Sequence, residues 1–508
     1  MSELLPQLPD QFSPVAHRHH GRWVAANFIA GQWTDSESRT AVQSPLDGRE
    51  WLEIPRATPA QIDEALAAAL TAQPLIRDIP AVERIVLFER AADLLRRHEE
   101  LFRALLLIEA GKPAREAAGE LAATGERLRM TMQEVKKITG EYIPGDWARD
   151  TTGKIAIVIH EPVGSVAAIS SFNYPLYIPA AKIIPALLAG NSVVAKPSSS
   201  VALTLLCFAR LLEEAGFPPG ALNVVTGSGE VGDRLVADER IDMISFTGST
   251  DVGRRIAQTA GIKKLHLELG GKGAAIVLED ADLELAAAKC VEGSLKNAGQ
   301  RCDAISVVLV MDAVAEPFVR RVRDALAARW RTGDPRLPET QIGPVINRHA
   351  AERVQQLIDD ALSRGARLLA GGRHRDCYVE ATLLDHVPPD ARIALEETFG
   401  PVVTILRVKD DEEALRLAQR GRFGLDSCVF TANFYRMWKL AKRLQVGGVA
   451  INDLPRHGSG YFPFGGVRDS GIGYEGIGYS IEEMTRRKTI AFNLEPAGLG
   501  KPHRIDGS

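Results

Sequence analysis

The sequence lacks the features that mark several large classes of protein. Its 508 residues hold five cysteines, Cys207, Cys290, Cys302, Cys377 and Cys428, an odd and scattered set without paired metal-ligand spacing. Such a set fits neither a disulfide framework nor a structural zinc site, so no metal and a reducing compartment are expected. No apolar run approaches a membrane span, and the longest, Ile178 to Gly190, is interrupted by Lys182 and Pro185. The first twenty residues include Pro6, Pro9, Pro14 and His17 and contain no apolar core of signal-peptide length, so a cytoplasmic location is expected. Charge of one sign is not in excess either. A net charge of -4 gives no reason for nucleic acid or an acidic membrane to be a partner. Internal repeats and low-complexity tracts are also missing. What remains, 45% hydrophobic and 25% charged residues, is a globular composition, and the length implies two or three domains.

One cysteine stands apart from the rest. The stretch Asn297-Ala298-Gly299-Gln300-Arg301-Cys302-Asp303-Ala304 ends a helix-like run, Leu283 to Lys296, and enters an apolar strand, Ile305 to Val310. A thiol in such a turn is placed like a nucleophile, and Arg301 beside it favours the thiolate on which nucleophilicity depends. A buried structural cysteine is the competing reading. Glu268 ends the alternating strand Leu265-His266-Leu267-Glu268-Leu269 just before the pair Gly270-Gly271. A carboxylate held in a cleft there can have the raised pKa that a general base needs; a solvated strand-end acid is the plainer alternative. Asn173, in Ile169-Ser170-Ser171-Phe172-Asn173-Tyr174-Pro175, is able to donate to a developing oxyanion or to serve as an ordinary turn residue. Spacing alone does not bring these three together.

Along the chain, residues 1 to 25 read as a polar, proline-broken, mobile arm. Phe28 to Trp33 suggests a short strand and turn. Helices are expected from Thr58, as N-cap, to about Thr71, from Ala81 to His98, Glu99 to Ala110 and Arg115 to Lys137. The run Lys154 to Ile159 looks like part of a hairpin leaving the main body. From Gly164, short β-rich runs (Ser165 to Ile169, Ser192 to Ala195, Leu222 to Val225, Met243 to Phe246) alternate with helix-like stretches. That alternation predicts a doubly wound, mostly parallel sheet with its ligand crevice at the strand carboxyl ends. A second αβ set runs from Gly273 to about Gly478. Within the first set, Phe246 to Gly253 is a strand, a glycine turn and a helix start, whose free N–H groups favour a phosphate. It lacks G-x-G-x-x-G spacing, so a turn that merely starts a helix remains open.

Six segments together resemble the NAD(P)-dependent aldehyde dehydrogenases. They are Asn173-Tyr174-Pro175, Phe246-Thr247-Gly248-Ser249-Thr250, Leu267-Glu268-Leu269-Gly270-Gly271-Lys272, Gly299-Gln300-Arg301-Cys302, Glu396-Glu397-Thr398-Phe399-Gly400-Pro401 and Pro463-Phe464-Gly465-Gly466. They stand in the family's order, and the likeness runs from about Asn27 to Asn493. Gly140 to Trp147, Gly299 to Ala304 and Ile451 to Gly458 are most similar to the non-phosphorylating glyceraldehyde-3-phosphate dehydrogenases. The resemblance implies an α/β fold: a Rossmann-like cofactor domain (26–137 and 160–268), an α/β catalytic domain (269–478) and a small β oligomerisation arm (138–159 and 479–495). Residues 1–25 and 496–508 are left as an N-terminal arm and a C-terminal tail. The arm would pair with the late strand Lys488 to Phe492 and make the protein a homo-oligomer, a dimer or a tetramer.

The same resemblance assigns roles. Cys302 adds to the aldehyde carbon, and the oxyanion meets the Asn173 amide and the Cys302 backbone N–H. Hydride passes to the nicotinamide, and Glu268 activates water to hydrolyse the thioester that remains. Gly248, Ser249 and Gly253 are expected beside the cofactor, Gly227 and Gly232 on its adenosine side, and Glu397 and Phe399 at the nicotinamide ribose and ring. Family members that prefer NAD often carry a glutamate where this chain has Ser199. A serine does not repel a 2′-phosphate and Lys196 can attract one, so NADP is expected, with NAD use possible. For the substrate, Arg301, Arg456 and Tyr174 are expected to grip a phosphate. Some relatives have an arginine where this chain has Ala123, and Arg127, one turn later, is the expected substitute. The expected reaction is oxidation of glyceraldehyde 3-phosphate to 3-phosphoglycerate. The alternatives are another small anionic aldehyde (a semialdehyde, lactaldehyde or phosphonoacetaldehyde), acyl transfer to coenzyme A, and a non-catalytic binding role.

Overall fold

A computed structural model of the chain describes residues 7–458 and 460–494. Its two large sheets are built from strands that are apolar on both faces, such as Ser165–Ile169 and Ser192–Lys196, each buried at every residue. Continuous burial rather than alternation is what a parallel sheet covered by helices on both sides requires. The first sheet has the order Gly471–Ile472, Lys264–Glu268, Met243–Thr247, Ser165–Ile169, Ser192–Lys196, Leu222–Val224, Asn27–Ile29, Gln32–Thr34. The five central strands are parallel. Ser165–Ile169 lies between Ser192–Lys196 and Met243–Thr247, so the winding reverses at its carboxyl end, and a crevice opens there.

The second sheet has the order Arg367–Ala370, Thr382–Asp385, Val402–Val408, Ile305–Met311, Gly273–Val277, Asp426–Phe430, Gly448–Ile451, all parallel but the first. It has its own hydrophobic core, formed by residues between 274 and 454. Glu268 is the last residue of a strand in the first sheet, and Cys302 stands three residues before a strand of the second. The carboxyl ends of one sheet therefore face amino ends of the other. The chain rejoins the first sheet at Gly471–Ile472, antiparallel to Lys264–Glu268.

Most expected elements form within a residue or two of their predicted ends. The helix beginning at Pro59 extends further than predicted, through Pro74 to Asp78, and Thr58 caps it in a reciprocal capping box with Gln61. The mobile N-terminal arm is a correction. From residue 10 onward it folds into a short 3-10 turn and the strands Ala16–His19 and Arg22–Ala25, with Phe12 and Val15 fully buried. Its anchor is a parallel pairing of Trp23 with Leu52 and Val24 with Glu53, a contact across the chain that local composition does not reveal. Residues 1–6 and 496–508 of the expected arm and tail lie outside the described residues. The hairpin forms as expected: Lys154–Pro162 pairs with Glu141–Pro144 and, along its full length, with Thr485–Asn493.

One buried ion pair joins the helical layer to the crevice. Lys112 Nζ lies 2.7 Å from Glu120 Oε2, both side chains fully buried. Glu120 Oε1 accepts from the Leu176 and Tyr177 N–H groups at 2.9 and 3.0 Å, tying down the start of the helix Tyr177–Ala189. The Lys112 ammonium also sits 3.8 Å above the Tyr174 ring. Glu120→Ala strands a buried cation and two N–H donors, so a loss of about 3–5 kcal/mol is expected in chemical denaturation, with Glu120→Gln milder.

Candidate active site

The crevice holds two cavities that share one wall. The first, about 270 Å³, is lined by Glu116, Arg127, Tyr174, Glu268, Lys296, Arg301, Arg456 and His457 among others. The second, about 620 Å³, is lined by Lys196, Ser199, Gly232, Gly248, Ser249, Glu397 and Phe399. Asn173, Thr247 and Cys302 line both. The three residues that spacing could not join thus meet at one place, although 129 positions separate Asn173 from Cys302 (302 − 173). Gly227 and Gly253 do not line either cavity. Gly227 lends its carbonyl to the Ser199 hydroxyl at 2.7 Å. At Gly253 a Cβ would strike the Leu269 side chain, so that glycine serves helix–strand packing.

Cys302 reaches the shared wall through a strained turn. After the helix Leu283–Leu295, Asn297 and Ala298 both take left-handed backbone angles, with φ of 56° each. For residues with a Cβ this costs about 1–2 kcal/mol apiece. The Asn297 amide donates to Asn173 O at 3.1 Å and Gln300 O at 3.3 Å, and Gln300 Oε1 accepts from Ile346 N at 2.9 Å. Gly271 permits the final approach, since a Cβ there would collide with the Cys302 carbonyl. The Asn173 amide donates to Gln300 O at 3.0 Å, and its oxygen accepts from Ser171 Oγ at 2.8 Å. One amide proton of Asn173 remains for the cavity. No backbone hydrogen bond engages the Cys302 N–H among the described residues.

The electrostatics differ from the expectation in one respect. Arg301 was expected to favour the thiolate. Its guanidinium is spent on Asp303 at 2.7 Å and on Pro455 O at 3.2 Å. Burial pushes the Cys302 thiol well above its ordinary pKa, Asp303, Glu268 and Asp426 push the same way, and Arg301 only partly opposes them. The resting group is a thiol. Burial also raises Glu268 well above the usual carboxylate range, with Glu475 adding and Lys182 opposing. Glu475 is itself driven up by burial, but Arg127 and Lys182, at 3.4 and 3.5 Å, outweigh that and hold it low.

Arg127 is placed in the first cavity, yet it is committed. It donates to Tyr177 Oη at 2.9 Å and Ser480 Oγ at 3.2 Å besides pairing with Glu475. Arg456 lies at the mouth, its side chain 59% exposed and paired with Asp453. Arg301 Nη1 is buried without a hydrogen-bond partner. Lys296, His457, Asp303, Lys182 and Glu475 were missed as site residues. Only Lys182 carried a local signal, as a lysine inside an otherwise apolar helix, which is almost never buried unless paired.

The second cavity suits a dinucleotide. Ser249 caps the helix Thr250–Thr259 without a side-chain bond, so its hydroxyl and the helix N-terminus face the cavity uncommitted. Burial pulls Lys196 down to about 8, and among the described residues its ammonium finds only the Pro197 carbonyl, at 3.3 Å, as a hydrogen-bond acceptor. Thr250 Oγ1 is used elsewhere, linking Gly270 N to the Asp469 carbonyl.

The family model described as the aldehyde dehydrogenase family matches residues 33–490. An NADP-dependent glyceraldehyde-3-phosphate dehydrogenase of Streptococcus equinus is 40% identical over 470 residues, 92% of this chain and 98% of the relative. A 3-sulfolactaldehyde dehydrogenase of Priestia megaterium is 36% identical over 468 residues, again 92% and 98%. Among solved structures, the NADP-dependent glyceraldehyde-3-phosphate dehydrogenase of Bacillus halodurans complexed with NADP is similar with a TM-score of 0.91. It is 40% identical, and the match covers 93% of this chain and 100% of that one.

Asp303 restrains the thiol both directly and by occupying Arg301. Asp303→Asn is therefore expected to speed alkylation of Cys302 by iodoacetamide at pH 7 several-fold and to shift the rate profile to lower pH. An unchanged profile would remove Asp303 from the electrostatics of the site.

Proposed function

The chain belongs to the aldehyde dehydrogenase family, and from that premise we propose that it oxidises a small anionic aldehyde, first of all glyceraldehyde 3-phosphate, to its acid with NADP. The observation that carries this reading is Cys302 on the wall between two cavities, with Asn173 beside it and Glu268 in the smaller one. Cys302 Sγ releases its proton to solvent water in the cavity and adds to the carbonyl carbon. The new oxyanion takes hydrogen bonds from Asn173 Nδ2 and the Cys302 N–H. When bound, the oxidised nicotinamide dinucleotide supplies the hydride acceptor. Glu268 then takes a proton from water, the oxygen adds to the thioester carbon, and the C–S bond breaks to release the acid. A carboxylate in the substrate cavity favours water over coenzyme A as the acceptor.

Several features favour NADP, with NAD as a second substrate. Ser199 puts no carboxylate where a 2′-phosphate would sit, Lys196 stands in the same cavity, and Ser249 is uncommitted. The relatives named above are NADP-dependent in two of three cases. For the substrate anion, Arg301 Nη1, Lys296 and Arg456 converge on the first cavity, with Tyr174 on its wall. Ala123 lies in the same lining and offers no charge. The commitment of Arg127 to Glu475, together with the sulfolactaldehyde relative, supports a second reading in which the anion is a sulfonate or carboxylate.

The segments 26–137 and 160–268 form the cofactor unit in this reading, 269–478 the catalytic unit, and 138–159 with 479–495 an arm that joins subunits. Ile143, Ile157, Ile490 and Phe492 on that arm are exposed, and the edge strand Gly448–Ile451 is half-exposed throughout, as a homodimer or tetramer built through the arm requires. Cytoplasmic residence fits the five unpaired cysteines.

Assays of glyceraldehyde 3-phosphate, sulfolactaldehyde and unphosphorylated aldehydes with NADP and with NAD test the reading. The phosphorylated aldehyde with NADP is expected to give the highest kcat/KM, and no oxidation of any aldehyde would refute it. Cys302→Ala is expected to abolish turnover. Glu268→Ala is expected to give about one NADPH per site followed by steady turnover at least about 100-fold slower.

A further inference from the structure

A buried histidine next to the base is unused by the chemistry just described. His266 is 3% exposed and lies two residues before Glu268 on the strand Lys264–Glu268, so the two side chains leave the same face. Its Nε2 stands 3.3 Å from Glu268 Oε1. Its Nδ1 stands 3.0 Å from the hydroxyl of Ser245, its register partner on Met243–Thr247. Neither Glu268 oxygen nor His266 Nε2 has a hydrogen bond in the resting arrangement.

The tautomer follows from the donor inventory. A neutral imidazole has one donor and one acceptor nitrogen. The Ser245 hydroxyl has no other hydrogen-bond partner among the described residues, so its proton is satisfied by donating to Nδ1. The ring proton then sits on Nε2, 3.3 Å from Glu268 Oε1 but not aligned for a hydrogen bond at rest. The opposite tautomer would aim a lone pair at Glu268 and leave the serine proton without an acceptor. The turn at Gly473 leaves room for the ring, since a Cβ there would come within 3.2 Å of His266 Cδ2.

The cations around Glu268 favour its ionised form only from a distance, because other carboxylates hold them. Lys182, from the helix Tyr177–Ala189, and Arg127, from Ala114–Glu134, are both held by Glu475. Glu475 and Asp426, from Asp426–Phe430, are anions that oppose ionisation of Glu268. Lys264, at the far end of the same strand, pairs with Glu483 at 3.0 Å. Burial, then Lys182, pulls His266 down to about 3, so the ring is a neutral donor throughout the working range. It can stabilise the carboxylate without giving up its own proton.

We propose that His266 is a positioning residue for the base: a small turn of the Glu268 carboxylate, 3.3 Å from Nε2 at rest, brings it onto the Nε2–H, which opposes the effect of burial by favouring the ionised form and orients it for the attack of water. The inference rests on the reading of Glu268 as the group that deprotonates water. In that step the water proton goes to Glu268, the oxygen bonds to the thioester carbon and the Cys302 thiolate leaves; the His266 proton does not move. Ser245 acts one bond further out, by fixing the tautomer.

The test separates formation of the acyl-enzyme from its hydrolysis. Wild type, His266→Leu, His266→Gln and Ser245→Ala are mixed with glyceraldehyde 3-phosphate and NADP. The NADPH burst and the rate of acyl-enzyme hydrolysis are followed from pH 5 to 10. All four are expected to keep a burst of about one NADPH per site, since hydride transfer does not use the base. In His266→Leu, hydrolysis at pH 7 is expected to fall about tenfold, with its midpoint moved up by about one pH unit. His266→Gln keeps an N–H donor and is expected to recover most of the rate, and Ser245→Ala is expected to shift the midpoint upward by less. An unchanged midpoint in His266→Leu overturns the proposal, and so does a burst that falls in proportion to hydrolysis, which marks a ring that only packs the fold. If His266→Leu does not fold, an unchanged midpoint in Ser245→Ala overturns it instead. Failure of the functional reading looks different: wild type itself then shows no burst that Cys302→Ala removes, and the proposal falls with it.

Discussion

The site depends on one buried carboxylate. Glu475 lies between Arg127 and Lys182, at 3.4 and 3.5 Å, with both cation side chains almost wholly out of solvent. Those two residues belong to different helices, Ala114–Glu134 and Tyr177–Ala189, and Glu475 belongs to the segment by which the chain returns to the first sheet. Breaking such a buried pairing by removing one partner typically costs about 3–5 kcal/mol, because the remaining charge has no water to turn to. The triad therefore fixes three elements relative to one another, and the back wall of the substrate cavity is where they meet. It also sets the charge that Glu268 experiences, since Glu475 raises its pKa while Lys182 and Arg127 lower it.

The reactive groups are consequently at rest rather than primed. Cys302 is surrounded by Asp303, Glu268 and Asp426, and the neighbouring cation Arg301 is paired with Asp303. A thiol kept protonated in this way resists oxidation and stray alkylation, because reactivity follows the thiolate. Glu268 is likewise held towards its neutral form by burial.

Strain is present in the turn that sets the geometry of the thiol. Asn297 and Ala298 occupy left-handed backbone angles in succession, and amide bonds from Asn297 and Gln300 to Asn173, Gln300 and Ile346 hold them there. Non-glycine residues persist in such angles only where the surroundings over-determine them. Here the surroundings include Asn173 itself, so the same bonds that stabilise the turn also set the distance between Asn173 and the thiol.

The sequence by itself determined the alternation of strands and helices, the crevice at the strand ends and the strand–turn–helix at Phe246–Gly253, because each leaves a local trace, an apolar period or a glycine break; Cys302, Glu268 and Asn173 stood out as candidates only through the resemblance carried by their segments. Arg301 and Arg127 could be named in the same way as residues of the cavity. What each cation is bound to could not, since Asp303 is two positions from Arg301 but Glu475 is 348 positions from Arg127 (475 − 127). The N-terminal strands escaped for the same reason, as their partner lies at Glu50–Pro55. Only the tertiary structure decided which charges are spent and which are free. The physical reason is that a buried charge is governed by whatever lies within a few ångströms, and in a fold of two facing sheets those neighbours come from anywhere along the chain.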